Sequence, residues 1–230
     1  MLKQNIGVAL EIKISKLILF FSRLALSLLK SEDRRRLGRK MNKFICSSLD
    51  LHYLCRVMTV FTKYIQNEQH YEDVLSRISN VRSTLWIGTA DIKDVYVKRG
   101  ASSVPLLAVF AGLIERGVDI RLIHAKEPGP AFRADFDKYP VLASRLERVL
   151  CPRVHFKMIV FDLETVYIGS ANLTGAGIGM KSPLRRNFES GILTNEPSLL
   201  ESACNQFDAV WMGSFCGKCG RKAFCGDRIK

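Results

Sequence analysis

Two rhythms of apolar and polar positions run along the chain. In "IKISKLILFFSRLALSLL", residues 12–29, Lys13, Lys16, Arg23, Ser27 and the following Lys30 recur at roughly helical spacing. That spacing predicts an amphipathic helix with a wide apolar face. Two charges near its centre make a membrane span costly, and no small-residue cleavage site of the signal-peptide type accompanies it. The expectation is a helix packed on the protein or on a second subunit, with a membrane-surface helix as the alternative. Ser31, Glu32 and Asp33 then offer caps for a second helix running on through "LHYLCRVMTVFTKYI", 51–65.

From Glu68 onward helical and alternating patterns take turns. "EQHYEDVLSRISNV" reads as helix, "STLWIGTADI" as strand, "VPLLAVFAGLIERG" as helix with Gly117 as its C-cap, and "VDIRLIHA" as strand. A polar loop "KEPGP" follows, then a helix over "YPVLASRLERVL". Two short apolar strands joined by a turn come next in "HFKMIVFDLETVYIGSAN", 155–172, then a strand in "NFESGILT" and a closing helix over 197–211. Strands alternating with helices, plus one hairpin, predict an α/β fold: a mixed β-sheet sandwiched by helices, with an N-terminal helical extension. The expected divisions are a basic helical extension (1–66), a catalytic domain (67–212) and a Cys-rich tail (213–230).

Charge sharpens this division. The chain carries a net +13, and residues 1–64 hold thirteen Lys and Arg against four Asp and Glu. A basic excess concentrated at one end points to a polyanion, either nucleic acid or an anionic membrane surface. The cysteines argue against a secreted disulfide framework, which is usually even-numbered and spread through a shorter chain: here there are seven, three of them in the last fifteen residues. A reducing compartment is expected, the cytoplasm, with peripheral membrane attachment if the first helix docks there.

The hairpin carries the chemistry. Residues two apart on a strand point the same way, so His155 and Lys157 share a face. Gly169 and Ser170 end the second strand, and Asn172 follows. An imidazole, an ammonium, a hydroxyl and an amide on neighbouring strand ends suit a tetrahedral anion: one can attack or move a proton while the others donate to its oxygens. The spacing His155-x-Lys157-x4-Asp162-x6-Gly169-Ser170-x-Asn172 resembles the HKD motif of the phospholipase D superfamily, and Asn187 and Glu189 in "NFES" stand where that family often carries a further acidic residue. The motif occurs once in the chain.

The resemblance implies a phosphodiesterase with His155, Lys157, Asp162, Ser170, Asn172 and Glu189 as its catalytic set. His155 attacks phosphorus to give a phosphohistidine, with no catalytic metal. Lys157 and Asn172 hold the phosphoryl oxygens, Ser170 floors the pocket, and Glu189 bonds the second imidazole nitrogen. Asp162 has the opposite strand parity from His155, so its expected role is to brace the turn. A second histidine must protonate the leaving group, which implies a homodimer sharing one pocket. A second His-x-Lys, in "HAKEPGPAFRAD", lacks the rest of the motif. Its His124, with Lys126 and Arg133, is a candidate lining for the substrate channel. His52 and His70 fall in predicted helices and read as surface or packing residues.

In the tail, Cys216, Cys219 and Cys225 form a C-x2-C-x5-C pattern rich in glycine. Two cysteines three apart on a tight turn can chelate one ion. Cys151, just ahead of the hairpin, is the first choice for a fourth ligand, and Cys204 the second. The expectation is structural zinc; the spacing also resembles the iron–sulfur staple of some helicase–nucleases, so a cluster is the alternative. Three functions remain open. They are a nuclease on DNA or RNA resembling small single-motif bacterial endonucleases, a phospholipase D or cardiolipin-type hydrolase at a membrane surface, and a non-catalytic nucleic-acid-binding module.

Overall fold

The computed structural model describes residues 59–93, 95–99 and 102–227. The amphipathic stretch 12–30, the basic run 34–40, His52, Cys46 and Cys55 lie outside the described residues. In chain order the strands are β1 (Thr62–Gln66), β2 (Thr84–Thr89), β3 (Tyr96–Arg99), β4 (Ser102–Pro105), β5 (Asp119–His124), β6 (Glu147–Leu150), β7 (Lys157–Phe161), β8 (Thr165–Gly169) and β9 (Ser190–Thr194). The α-helices are α1 (Leu106–Glu115), α2 (Pro130–Phe136), α3 (Pro140–Arg145) and α4 (Pro197–Trp211).

Seven strands form one mixed sheet in the order β1-β9-β8-β7-β2-β5-β6. β2, β5 and β6 run parallel to one another, and every other neighbouring pair is antiparallel. β7 lies near the middle and all five of its residues are buried, which is why its sequence is an almost unbroken apolar run. Its side chains divide by parity. Ile159 and Phe161 join Leu85, Ile87, Tyr167 and Leu193 in one core, beneath α1 and the helical turns after β1. Met158 and Val160 join Trp86, Val166 and Phe207 in a second core, beneath α4. There the rings of Trp86, Phe207 and Trp211 stack in series, and the Arg121 guanidinium lies over both indoles. The sheet is covered on both faces, as the alternation of strands and helices predicts.

Four local readings are corrected. The end of the expected second helix is instead β1, an edge strand paired with β9 from Thr62↔Thr194 to Gln66↔Ser190. Only Ile65 of its five residues is buried, and ladder bonds to β9 outweigh a weak helical pattern; this strand belongs to the sheet, not to the extension. Residues 68–81 form no regular α-helix but a π-type turn, His70–Leu75, continuing as a 3₁₀ turn, Ser76–Asn80. The helix expected through residue 150 ends at Arg145. Leu146 turns extended, and Glu147–Leu150 pair in parallel with β5 from Arg121 to His124, because β5 would otherwise expose its ladder edge. The helix expected from Val104 starts at Leu106, because Val104 and Pro105 close the β3–β4 hairpin, and α2 lies in a stretch to which no element was assigned. Gly117 does end α1, at φ +86, with Val118 N bonded to Leu113 O at 3.0 Å.

Candidate active site

The β7–β8 hairpin closes through Asp162 and Leu163, both at positive φ, with Glu164 N donating to Phe161 O at 2.9 Å. The Asp162 carboxylate points away from the site. It accepts from the backbone N–H of Arg82 (3.0 Å), Ser83 (2.7 Å) and Thr84 (3.2 Å) and from Ser83 Oγ (3.0 Å). Burial pushes this carboxyl upward, but the three amides outweigh it and hold the pKa below the ordinary aspartate value. The aspartate of the motif therefore ties the hairpin turn to the start of β2.

At the far end of β7 stands His155. It lies just before the strand rather than on it, and it is exposed. Lys157 Nζ sits 3.3 Å from its Nδ1 and 3.4 Å from its Nε2, and donates to its carbonyl oxygen at 2.6 Å. Lys157 is buried at 7% exposure. That burial lowers its pKa, and the charge of Glu189 lifts it part of the way back. Between the two, Phe156 lies against Gly88 of β2 so closely that a Cβ at Gly88 would collide with its ring, 2.7 Å from Cδ2. The missing side chain in β2 is thus the seat that aims the His155 segment.

Gly169 delivers Ser170 at the end of β8. Ser170 Oγ donates to Glu189 Oε2, and Asn187 Nδ2 holds Glu189 Oε1 at 3.0 Å. Ser190 N donates to Ser170 Oγ at 3.1 Å, clamping the β8 and β9 ends together. The oxygens of Glu189 are therefore engaged by Ser170 and Asn187, and no bond from Glu189 to His155 is formed within this chain; the expected imidazole contact is corrected on that point. Tyr167 lies across Gly169 and Gly191, whose added Cβ atoms would meet its hydroxyl and ring. Its other side meets His70 edge-on, with ring centroids 5.5 Å apart. His70 is fully buried, so packing is its role. Asn172 Oδ1 accepts from Asp91 N at 3.1 Å and from Thr89 Oγ1 at 3.3 Å. Its Nδ2 donors are thereby directed away from those partners.

The three channel candidates separate. His124 ends β5 fully buried, with Nδ1 bonded to Lys126 O at 2.8 Å. Desolvation lowers its pKa, against an opposing pull from that carbonyl. A histidine closed off in this way does not line a channel, so that expectation is corrected; the burial follows from its place between β2 and β6. Lys126 reaches Asp91 at 3.2 Å and so borders the Asn172 support, whereas Arg133 pairs with Glu127. Gly88, Thr89 and Asp91 are site-building residues that sequence reasoning missed. The only signal was a glycine and a polar pair ending an apolar strand.

Beside the His155 segment, Cys151, Cys216, Cys219 and Cys225 all line one cavity of about 260 Å³, with Arg153, Val154, Phe156, Val210 and Lys222 among its other walls. Cys204, inside α4, is not among them. As placed, no three His, Cys, Asp or Glu side chains among the described residues are close enough to share a metal ion. The thiols surround a space; they do not form a preassembled centre.

Comparison with known proteins agrees with this geometry. A family model described as "Cardiolipin synthase, PLD-like domain" matches residues 74–211. Among solved structures the chain is similar to a phospholipase D family member, Nuc, from Salmonella typhimurium: 18% identity and a TM-score of 0.50, covering 66% of this chain and 95% of that one. NucT from Helicobacter pylori shows 16% identity and a TM-score of 0.49, covering 65% and 94%. TrmBL2, an archaeal chromatin protein, shows 12% and 0.47, covering 86% and 68%. No curated protein matches the sequence. The likeness to Nuc shows the fold, and the family match contains every residue of the site from His155 to Glu189. The chain therefore belongs to the phospholipase D-like family and is a phosphodiester hydrolase.

Proposed function

We propose that this protein is a nuclease that cleaves phosphodiesters through a phosphohistidine on His155, without a catalytic metal, in a site shared by two copies of the chain. The observation that carries the reading is that His155 is the one exposed histidine among the described residues, with Lys157 against its ring; His70 and His124 are closed off in the core. An imidazole nitrogen attacks phosphorus and the P–O bond to the leaving strand breaks. His155 of a second copy gives its proton to that oxygen, then takes one from the water that cleaves the P–N bond. Lys157 and the Nδ2 of Asn172 donate to the phosphoryl oxygens, where negative charge grows in the transition state. Ser170 and Glu189 hold the strand ends that frame this space. The basic N-terminal part supports a nucleic-acid substrate. The odd count of seven cysteines, three of them in the last fifteen residues, supports a reducing compartment, which we take to be the cytoplasm.

The test is cleavage in EDTA over a panel of plasmid, single-stranded DNA, RNA, and phosphatidylcholine or cardiolipin vesicles. Nucleic acid should be cut, and His155→Ala should lower the rate by about 10⁴-fold or more. Turnover of the vesicles alone would replace the nuclease with a membrane-surface phospholipase, to which the amphipathic stretch 12–29 would then belong. Nucleic-acid binding that His155→Ala leaves intact, with no turnover of any substrate, would leave a binding module. Full activity in a species that sediments as a monomer would end the shared-site reading.

A further inference from the structure

Four thiols from two distant parts of the chain meet at one cavity. Cys151 follows β6 and lies four residues before His155, while Cys216, Cys219 and Cys225 belong to the segment after α4. Three observations bear on what the cavity is for. First, no residue from Met212 to Asp227 is buried, and Phe215 and Phe224 are 57% and 73% exposed. Apolar burial therefore does not hold this segment, and a short segment without a core needs a staple. Second, the segment is nonetheless pinned to the end of β6: Leu150 N donates to Asp227 Oδ2 at 2.7 Å, and the Cys225 thiol donates to Leu150 O at 3.6 Å. Third, the Arg221 amide donates to Cys219 Sγ at 3.4 Å, beyond a tight turn in which Cys219 N bonds Cys216 O at 3.2 Å. A backbone N–H aimed at sulfur favours the thiolate, and the turn puts two sulfurs on one side of the cavity.

We propose that Cys151, Cys216, Cys219 and Cys225 bind one zinc ion as a closed tetrathiolate that staples the tail to the His155 segment. The thiols lie around the cavity wall and close on the ion until each sulfur is about 2.3 Å from it. Each thiol gives up its proton to solvent as its Zn–S bond forms, and no electron is transferred. Two positive charges against four thiolates leave the centre at −2. The cations that line the same cavity, Arg153 and Lys222, offset that charge. A closed site has no open position, so this zinc takes no part in phosphoryl transfer. His155 is not among the residues that line the cavity, and the inference is independent of which phosphodiester is cut.

The test is metal analysis of the full chain purified without chelator from zinc-supplemented cells. About one zinc per chain is expected. It should be released in step with thiol titration by an organomercurial, and cobalt exchanged into the site should give the visible spectrum of a tetrahedral thiolate complex. Cys219→Ser should lower zinc content at least about tenfold, while Cys204→Ser leaves it unchanged. If Cys219→Ser yields no folded protein, release from the wild type by the organomercurial decides alone. Absence of stoichiometric zinc with no cobalt uptake, or zinc fully retained in Cys219→Ser, would overturn the proposal. Iron with acid-labile sulfide in place of zinc would overturn it in favour of a cluster.

Discussion

Replacing Asp162 separates a brace from a chemical group. Its carboxylate holds three backbone amides, those of Arg82, Ser83 and Thr84, at 3.0, 2.7 and 3.2 Å. Bonds to a charged acceptor contribute about 1.5–3 kcal/mol each. Arg82 and Ser83 are solvent-exposed, and their amides can turn to water, so about 1 kcal/mol apiece is the appropriate figure here. Asp162 also sits at φ +53, where alanine adds about 1 kcal/mol that asparagine largely avoids. Asp162→Ala should therefore cost about 3–4 kcal/mol, and Asp162→Asn, which keeps one acceptor oxygen and tolerates the backbone, about 1–2 kcal/mol. At roughly 2–4 °C per kcal/mol for a domain of this size, the alanine variant melts about 10 °C lower. Urea melts give the free energies, and cleavage rates measured well below the transition give the chemistry. Each variant should keep most of its kcat while folded. Full stability with abolished turnover would refute the brace and place the carboxylate in the reaction. The pH dependence carries a sign as well. A carboxyl held below its unfolded pKa contributes stability that is complete above about pH 4 and is lost as pH falls through the lower folded value. Asp162→Ala should thus remove part of the acid sensitivity of the wild type.

Two further outcomes follow from the other end of the hairpin. On the proposed mechanism the rate requires Lys157 as its ammonium, and burial depresses that pKa. Plots of kcat/KM against pH should therefore fall on the alkaline side below the ordinary lysine value of about 10.4. The limb should move lower still in Glu189→Gln, which removes the charge that lifts it; a limb at the free-lysine value would show that the amine is not buried during turnover. Gly88→Ala puts a Cβ into the Phe156 ring, so the His155 segment must shift. Overpacking of this kind costs about 1–3 kcal/mol, and on the proposed mechanism a displaced His155 costs about 10²-fold in kcat. The paired variant Gly88→Ala/Phe156→Leu should recover part of both, by thermal melt and by initial rate.

The hairpin was legible because its information is local. Parity along β7, the turn at Asp162 and the glycine before Ser170 lie within eighteen residues, and each constrains the next. For the tail, tight C-x2-C spacing and the nearness of Cys151 to the motif singled out four cysteines that the fold brings to one cavity, although as placed no three of them are close enough to share a metal ion. What stayed hidden is settled by distant partners. Gly88 matters only because Phe156 rests on it, and Thr89 and Asp91 only because Asn172 lies beside them, eighty-odd residues away. β1 and Glu147–Leu150 carry helix-compatible patterns, and only the unpaired edges of β9 and β5 make them strands. His124 carries the same His-x-Lys signal as His155. Its place between two strands buries it, whereas His155 stands free ahead of one.

Asn172 cannot turn over. Asp91 N–H can only donate, so the carboxamide must keep its oxygen toward the protein and its amino group on the outer side. The site therefore has a fixed hydrogen-bonding sign before any ligand arrives. Lys157 as its ammonium can only donate as well, so the two groups proposed to hold the phosphoryl oxygens refuse a donor and welcome an acceptor. Such a surface favours acceptors: the ionised oxygens of a phosphodiester suit it, and an ammonium, which can only donate, does not. Asn172→Asp, nearly the same in shape, would reverse the sign of that one contact and place a charge against Asp91 N–H. That negative charge would disfavour an anion beside it. What the hairpin inherits from a backbone amide eighty residues away is a filter for charge.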